Sequence, residues 1–340
     1  MKAMVLHRFG EPLRMETVKD PEPGPREALV RVKACGVCGT DVKISSGFIA
    51  GVPLPHIMGH EIAGEVVQVG NEVEETRAGD RVCVHFYLTC GKCVYCQTGR
   101  ESICSSLIGR LGFELDGGFA EFVRAPERNL IKIGRDLSYE EASVLADSAA
   151  TAFHALTKRA QITPGKQVVI WGSGGVGFAA IQVAKLCGAR VIALDVDDKK
   201  LEMAKKLGAD EVVNVRKGDT VQAVNEFTRG KGVDVVLDLV GHQETVDGAV
   251  NVLRRGGKLI FVGYDPKNPF RADSHDMVLR ELEIVGSRAS SRQELKELVD
   301  LVEEKKVRAV VSETLPMAEV NEVLSRLKKG EVVGRIVLKP

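Results

Sequence analysis

The segment Val168–Trp171, Gly172-Ser173-Gly174-Gly175-Val176-Gly177 and the apolar stretch after it constrain this chain more than any other feature. A short β-type run enters a G-x-G-x-x-G turn, and the turn opens a helix. The first glycine permits the tight turn, the second lets the backbone approach a pyrophosphate, and the third lets helix pack closely on strand. The helix N-terminus then faces the negative phosphates. Downstream, apolar runs alternate with amphipathic helical periodicity, the signature of βαβ units and a parallel sheet. Strands are expected at Val168–Trp171, Val191–Leu194, Glu211–Val215, Val233–Leu239, Lys258–Gly263 and Leu282–Val285. Helices are expected at Gly177–Cys187, Lys199–Leu207, Thr220–Phe227, Thr245–Leu253 and Asp276–Arg280. Such a set predicts a doubly wound α/β domain with a six-stranded parallel sheet.

Asp195 ends the second of these strands, 18 residues beyond Gly177. A carboxylate there receives the adenosine ribose hydroxyls and repels a 2′-phosphate, which predicts NAD over NADP. Lys199 and Lys200 follow and offset part of that repulsion. The cofactor-binding set is therefore Gly172, Gly174, Gly175, Val176, Gly177, Asp195 and Lys200.

Residues 1 to about 145 read differently, as short β segments at Ala28–Ala34, Glu61–Val69, Asp80–His85 and Phe119–Val123 with little helical periodicity. Beyond Ser287 the pattern gives a helix at Arg292–Glu304 and then a return to strand, including Arg335–Leu338. This tail does not read as another βαβ repeat and is expected to fold back onto the first domain. The expected division is 1–150 with 288–340, and 151–287.

Four of the eight cysteines fall between Cys90 and Cys104. Cys90, Cys93, Cys96 and Cys104 give C-x2-C-x2-C-x7-C, with Gly91 and Gly99 easing the turns. Four thiolates on so short a lobe suit a closed tetrahedral zinc site with no position for substrate, hence a structural ion. An iron–sulfur cluster also takes four thiolates, but the C-x3-C-P ending of the bacterial ferredoxin run is absent.

Composition narrows the class of partner. Lys plus Arg and Asp plus Glu both number 47, and 44% of residues are apolar. A chain of 340 residues with that much apolar material supports two cores, and zero net charge argues against nucleic acid or anionic membrane as the main partner. The glycines and glutamines of Gln167–Ala184 disfavour a membrane span, and the early charges of the N-terminus disfavour a secretory signal. A cytoplasmic protein with a small-molecule partner is expected.

A second group of candidate ligands is dispersed: Cys38 in Gly36-Val37-Cys38-Gly39-Thr40-Asp41, His60 and Glu61 in Gly59-His60-Glu61, and Asp147 in Leu145-Ala146-Asp147-Ser148. With the four-cysteine lobe and the later glycine loop, their order and spacing resemble the zinc-dependent medium-chain alcohol dehydrogenases over almost the whole chain. The resemblance implies a GroES-like β-rich catalytic domain, a Rossmann domain, two zinc ions per subunit (one catalytic, one structural), NAD, and an alcohol or carbonyl substrate. It implies that Cys38, His60 and Asp147 hold the catalytic ion, that Glu61 enters its shell in some members, and that Asp41 orients His60. Thr40 matches the hydroxyl that takes the alcohol proton. Lys43 stands where many members have a relay histidine, Phe86 matches a pocket residue, and Arg335 matches an arginine on the cofactor pyrophosphate. A homotetramer, or else a homodimer, is implied. Alternatives within reach of the sequence are a zinc-independent enoyl or quinone-type reductase of the same superfamily and a non-catalytic NAD-binding protein.

Overall fold

The computed structural model describes residues 1–265 and 267–340. The chain divides into one unit of Met1–Ala150 with Ser290–Pro340 and another of Thr151–Ala289.

In the first unit the eleven-residue strand Glu27–Val37 organises the main sheet. It pairs antiparallel with Glu61–Val69, Phe122–Pro126 and Arg335–Lys339. Arg335–Lys339 also runs parallel to Val311–Pro316, while Arg81–Val84 and Leu130–Lys132 extend the opposite side. Val30 and Val32 are buried while Arg31 between them is exposed, so the middle of this strand is covered on one face, and Ala34–Val37 at its end are buried in succession. A smaller sheet joins Arg14–Thr17, Lys2–Leu6 and His56–Ile57.

Helix is more frequent here than the sequence periodicity indicates. Gly39–Ser45 and Tyr139–Val144 are helical, and a π-helical turn, Leu145–Ala149, follows the latter. The tail also carries a helix absent from the sequence expectation, Val320–Lys328, whose Val320, Val323 and Leu324 are buried on one face.

The second unit contains a six-stranded sheet with spatial order Glu211–Asn214, Arg190–Asp195, Gln167–Trp171, Val233–Asp238, Leu253–Phe261 and Glu283–Gly286. Every neighbouring pair is parallel. This is a doubly wound Rossmann order, with its reversal point between Gln167–Trp171 and Val233–Asp238. Val169, Ile192, Leu194, Val236 and Val246 belong to one buried cluster. Each such side chain contributes about 1.5–3 kcal/mol when fully buried. Among the described residues, no helix is long and apolar enough to cross a membrane.

Candidate active site and metal centres

Cys38 follows directly from the strand Glu27–Val37 and caps the helix Gly39–Ser45, its sulfur accepting from the Thr40 amide at 3.4 Å. Asp41 Oδ2 returns a bond from the Cys38 amide at 2.8 Å, completing a capping box that fixes the turn. Glu61 begins the adjacent strand, where Gly36 is its cross-strand partner. A Cβ on Gly36 would stand 2.1 Å from Glu61 Oε2, so only glycine leaves room for that carboxylate. Just before His60, Gly59 adopts φ +93°, and a Cβ there would meet the Phe119 ring at 2.5 Å. Asp147 lies in the π-helical turn, whose wider winding re-aims side chains and recurs at functional positions.

These placements bring Cys38, His60, Glu61 and Asp147 together, with one ligand atom from each lying within 4.8 Å of the others. Cys38 Sγ is 3.7 Å and His60 Nε2 is 3.5 Å from Asp147 Oδ2. Around a tetrahedral zinc, sulfur–oxygen edges measure about 3.6 Å and nitrogen–oxygen edges about 3.4 Å, so the three groups would close on such an ion with small shifts. His60 Nδ1 stands 3.3 Å from Asp41 Oδ1, which leaves Nε2 turned to the ligand cluster. Both His60 Nδ1 and Asp41 Oδ1 are buried with no other hydrogen-bond partner, so nothing competes with the pairing of this carboxylate and this ring. Burial pushes the His60 pKa down, yet the Asp41 and Asp147 carboxylates outweigh it and hold it well above the ordinary range. A metal must displace that proton.

Arg335, expected on the cofactor pyrophosphate, is buried against the ligand cluster. Its Nε donates to both Glu61 oxygens at 3.1 Å, and its Nη2 donates to Glu61 Oε1 at 2.7 Å and to Cys38 Sγ at 3.4 Å. Burial raises the Glu61 carboxyl to about 7 against the pull of Arg335. A fully desolvated arginine takes the nearest anions, and here these are the ligands themselves.

Phe86 packs on the His60 ring at 5.1 Å between centroids, and so does Phe113, which the sequence reading did not single out. Phe113 carries no motif; only its fold position reveals it. Thr40 is half-buried in the first turn of the capped helix, and Lys43 lies in the last.

The four lobe cysteines also converge. Cys93–Cys96 and Cys104–Cys90 sulfurs are 3.5 Å apart, Cys93–Cys104 3.8 Å and Cys90–Cys96 4.0 Å. Four sulfurs at Zn–S of about 2.3 Å would stand about 3.8 Å apart, which matches this cluster. Backbone donors of Cys96 and Ser105 bring the Cys93 thiol down to about 5, while burial and its neighbours drive Cys96 up to about 12. Gly91 and Gly99, at φ +74° and +71°, provide the lobe's left-handed turns.

In the second unit, Gly172 has φ +101° and a Cβ on Gly177 would lie 2.1 Å from the Gly172 carbonyl oxygen, which accounts for the first and third glycines. A Cβ on Gly174 would meet nothing within 4 Å, so open space lies above the helix start formed by Gly174, Gly175 and Val176. Asp195 accepts from the Ser173 amide at 2.7 Å, binding the second strand's end to the glycine turn, and from the Val196 and Asp197 amides at 2.7 and 3.0 Å. Lys200 is half-buried in the first turn of helix Asp198–Lys206.

Residues 24–135 match the alcohol dehydrogenase GroES-like domain, and residues 175–304 match the zinc-binding dehydrogenase domain. An alcohol dehydrogenase of Geobacillus stearothermophilus is 39% identical, the match covering 100% of this chain and 99% of that protein. The chain belongs to the zinc-dependent medium-chain dehydrogenase/reductase family. A NAD-dependent alcohol dehydrogenase of Sulfolobus acidocaldarius is 38% identical over 100% of this chain and 99% of its own. The crystal structure of the alcohol dehydrogenase from Aeropyrum pernix superposes with a TM-score of 0.94 at 41% identity, covering 100% of both chains. The GroES-like and Rossmann architectures of the family are those described above.

Proposed function

We infer that this protein is a NAD-dependent, zinc-containing alcohol dehydrogenase that catalyses reversible hydride transfer between an alcohol and NAD, giving an aldehyde or ketone and NADH. The observation that carries this reading is the convergence of one thiol, one imidazole and one carboxylate, from Cys38, His60 and Asp147, in addition to a complete four-cysteine lobe. When bound, catalytic zinc supplies a Lewis acid that lowers the pKa of an alcohol hydroxyl and polarises a carbonyl.

The chain's own residues do the remainder. Asp41 holds His60 in the orientation that presents Nε2, and Phe86 and Phe113 keep water from the imidazole. Thr40 accepts the hydroxyl proton and passes it outward. The glycine turn takes the pyrophosphate and Asp195 the adenosine ribose, favouring NAD over NADP. Glu61, held by Arg335, would supply a reserve carboxylate to the ion. We place the enzyme in the cytoplasm as a homotetramer, which a sedimentation measurement distinguishes from a homodimer.

The test is NADH formation across primary alcohols, secondary alcohols and polyols, with NAD and NADP in parallel. Turnover with NAD that disappears on removal of zinc supports the assignment. Zinc-independent reduction of a conjugated double bond would replace it with the reductase reading. Absence of any turnover with zinc and NAD both bound would leave a binding protein.

A further inference from the structure

The crevice at the sheet's reversal point has a second wall besides the glycine turn, the loop from Leu239 to His242. This loop leaves Val233–Asp238, the strand that pairs with Gln167–Trp171, and Asp238 lies opposite Trp171 in that pairing. Asp238 is wholly buried. Its Oδ1 accepts from the Val240 amide at 2.8 Å and the Gly241 amide at 3.0 Å, and its Oδ2 accepts from the Thr245 hydroxyl at 2.7 Å. The Thr245 oxygen in turn accepts from the His242 amide at 3.2 Å, closing the loop's far end.

The loop's position is tightly bounded. Gly241 has φ +79°, and a Cβ on Gly263 would stand 2.4 Å from the Leu239 carbonyl carbon, so two backbones touch there. On the other side, a Cβ on Gly172 would lie 3.3 Å from Leu239 Cβ and from Val240 Cγ2. In open parallel sheets, ligands bind outside the carboxyl ends of the strands where strand order reverses. One buried carboxylate thus sets the height of the loop that backs the glycine turn, through two amides and one hydroxyl.

We propose that Asp238 is a positioning residue for the dinucleotide, holding the Leu239–His242 wall in register with the glycine turn. The proposal rests on the NAD reading above and deepens it.

The test uses energy transfer from the single tryptophan, Trp171, to NADH in the full-length zinc-loaded protein. Asp238→Ala strands the Val240 and Gly241 amides and is expected to weaken NADH binding about tenfold, the equivalent of one lost buried hydrogen bond. Asp238→Asn keeps an oxygen for those amides and offers its NH2 to the Thr245 hydroxyl, so its affinity should stay within about threefold of the parent. The alcohol KM should not move in either variant, which a general loosening of the fold would not spare. If Asp238→Ala does not fold, Thr245→Val and Thr245→Ser replace it as the disruptive and conservative pair. Parental NADH affinity in the disruptive variant, or an Asn variant as weak as Ala, overturns the proposal. Failure of the parent protein to bind NADH overturns the NAD reading itself, a separate outcome.

Discussion

Gly36→Ala provides a test of sign as well as size. Ordinarily, alanine in place of a strand glycine stabilises by about 0.5–1 kcal/mol, because glycine loses more chain entropy on folding. Here the added Cβ would stand 2.1 Å from Glu61 Oε2 and 3.0 Å from Glu61 Cβ. To regain an ordinary contact of about 3.4 Å the carboxylate must retreat by more than an ångström. Glu61 has nowhere to go, since it is completely buried and Arg335 holds both its oxygens at 2.7–3.1 Å. A retreat of that size takes those bonds beyond hydrogen-bonding distance. Breaking a buried ion pair costs about 3–5 kcal/mol, so after the alanine gain a loss of about 2–4 kcal/mol remains. For a unit of about 200 residues this lowers the Tm by roughly 5–15 °C. Scanning calorimetry of Gly36→Ala alone and in a Glu61→Ala background measures it, because removing the carboxylate should abolish most of the alanine penalty. A Tm that holds or rises in the single variant, or an equal penalty in both backgrounds, would refute the steric argument.

Other perturbations follow from the same geometry. Gly177→Ala places a Cβ 2.1 Å from the Gly172 carbonyl oxygen, a backbone atom that cannot swing aside; NADH affinity measured by fluorescence should fall at least about tenfold, and unchanged affinity would remove the third glycine from the cofactor site. Cys93→Ser should cost the lobe its zinc and lower the Tm while Cys38, His60 and Asp147 keep theirs, as metal analysis would reveal. Asp234 sits below the usual carboxylate range: burial pushes it up, but the Gln167 amide at 2.8 Å, Lys166 at 3.0 Å and Arg254 at 2.8 Å outweigh that. Its stabilisation is therefore complete above the unfolded pKa and fades as pH falls through the folded one, so the Tm gap between the parent and Asp234→Asn should narrow on acidification. A gap that widens would contradict the assignment.

The features readable in the sequence were those whose chemistry is local. Six parallel strands, the glycine turn and the cysteine lobe each occupy short contiguous segments in which spacing alone encodes geometry. The helix Tyr139–Val144 and its π turn carry no amphipathic stripe, because Ala142, Ser143, Val144, Leu145 and Ala146 are buried in succession; its one sequence signal is the capping box of Ser138 and Glu141. The helix Val320–Lys328 did carry a signal in its apolar residues at 320, 323 and 324. The contact of Arg335 with the ligand cluster was hidden for a different reason. Its partners Glu61 and Cys38 lie 274 and 297 positions away, and only the pairing of Ile336 with Val37 brings it to them. Gly36 lies beyond the expected strand Ala28–Ala34, and only the extension of that strand to Val37 sets it opposite Glu61, where a strand glycine marks a close approach.

Zinc content per chain, measured for the parent and for Asp147→Ala alongside alcohol oxidation, tests the central claim most directly. The account predicts about two zinc ions in the parent and about one in the variant, with NADH formation lost and the lobe's ion retained. A parent holding a single zinc that disappears with Cys93→Ser, or an Asp147→Ala protein that keeps both ions and full activity, would contradict it.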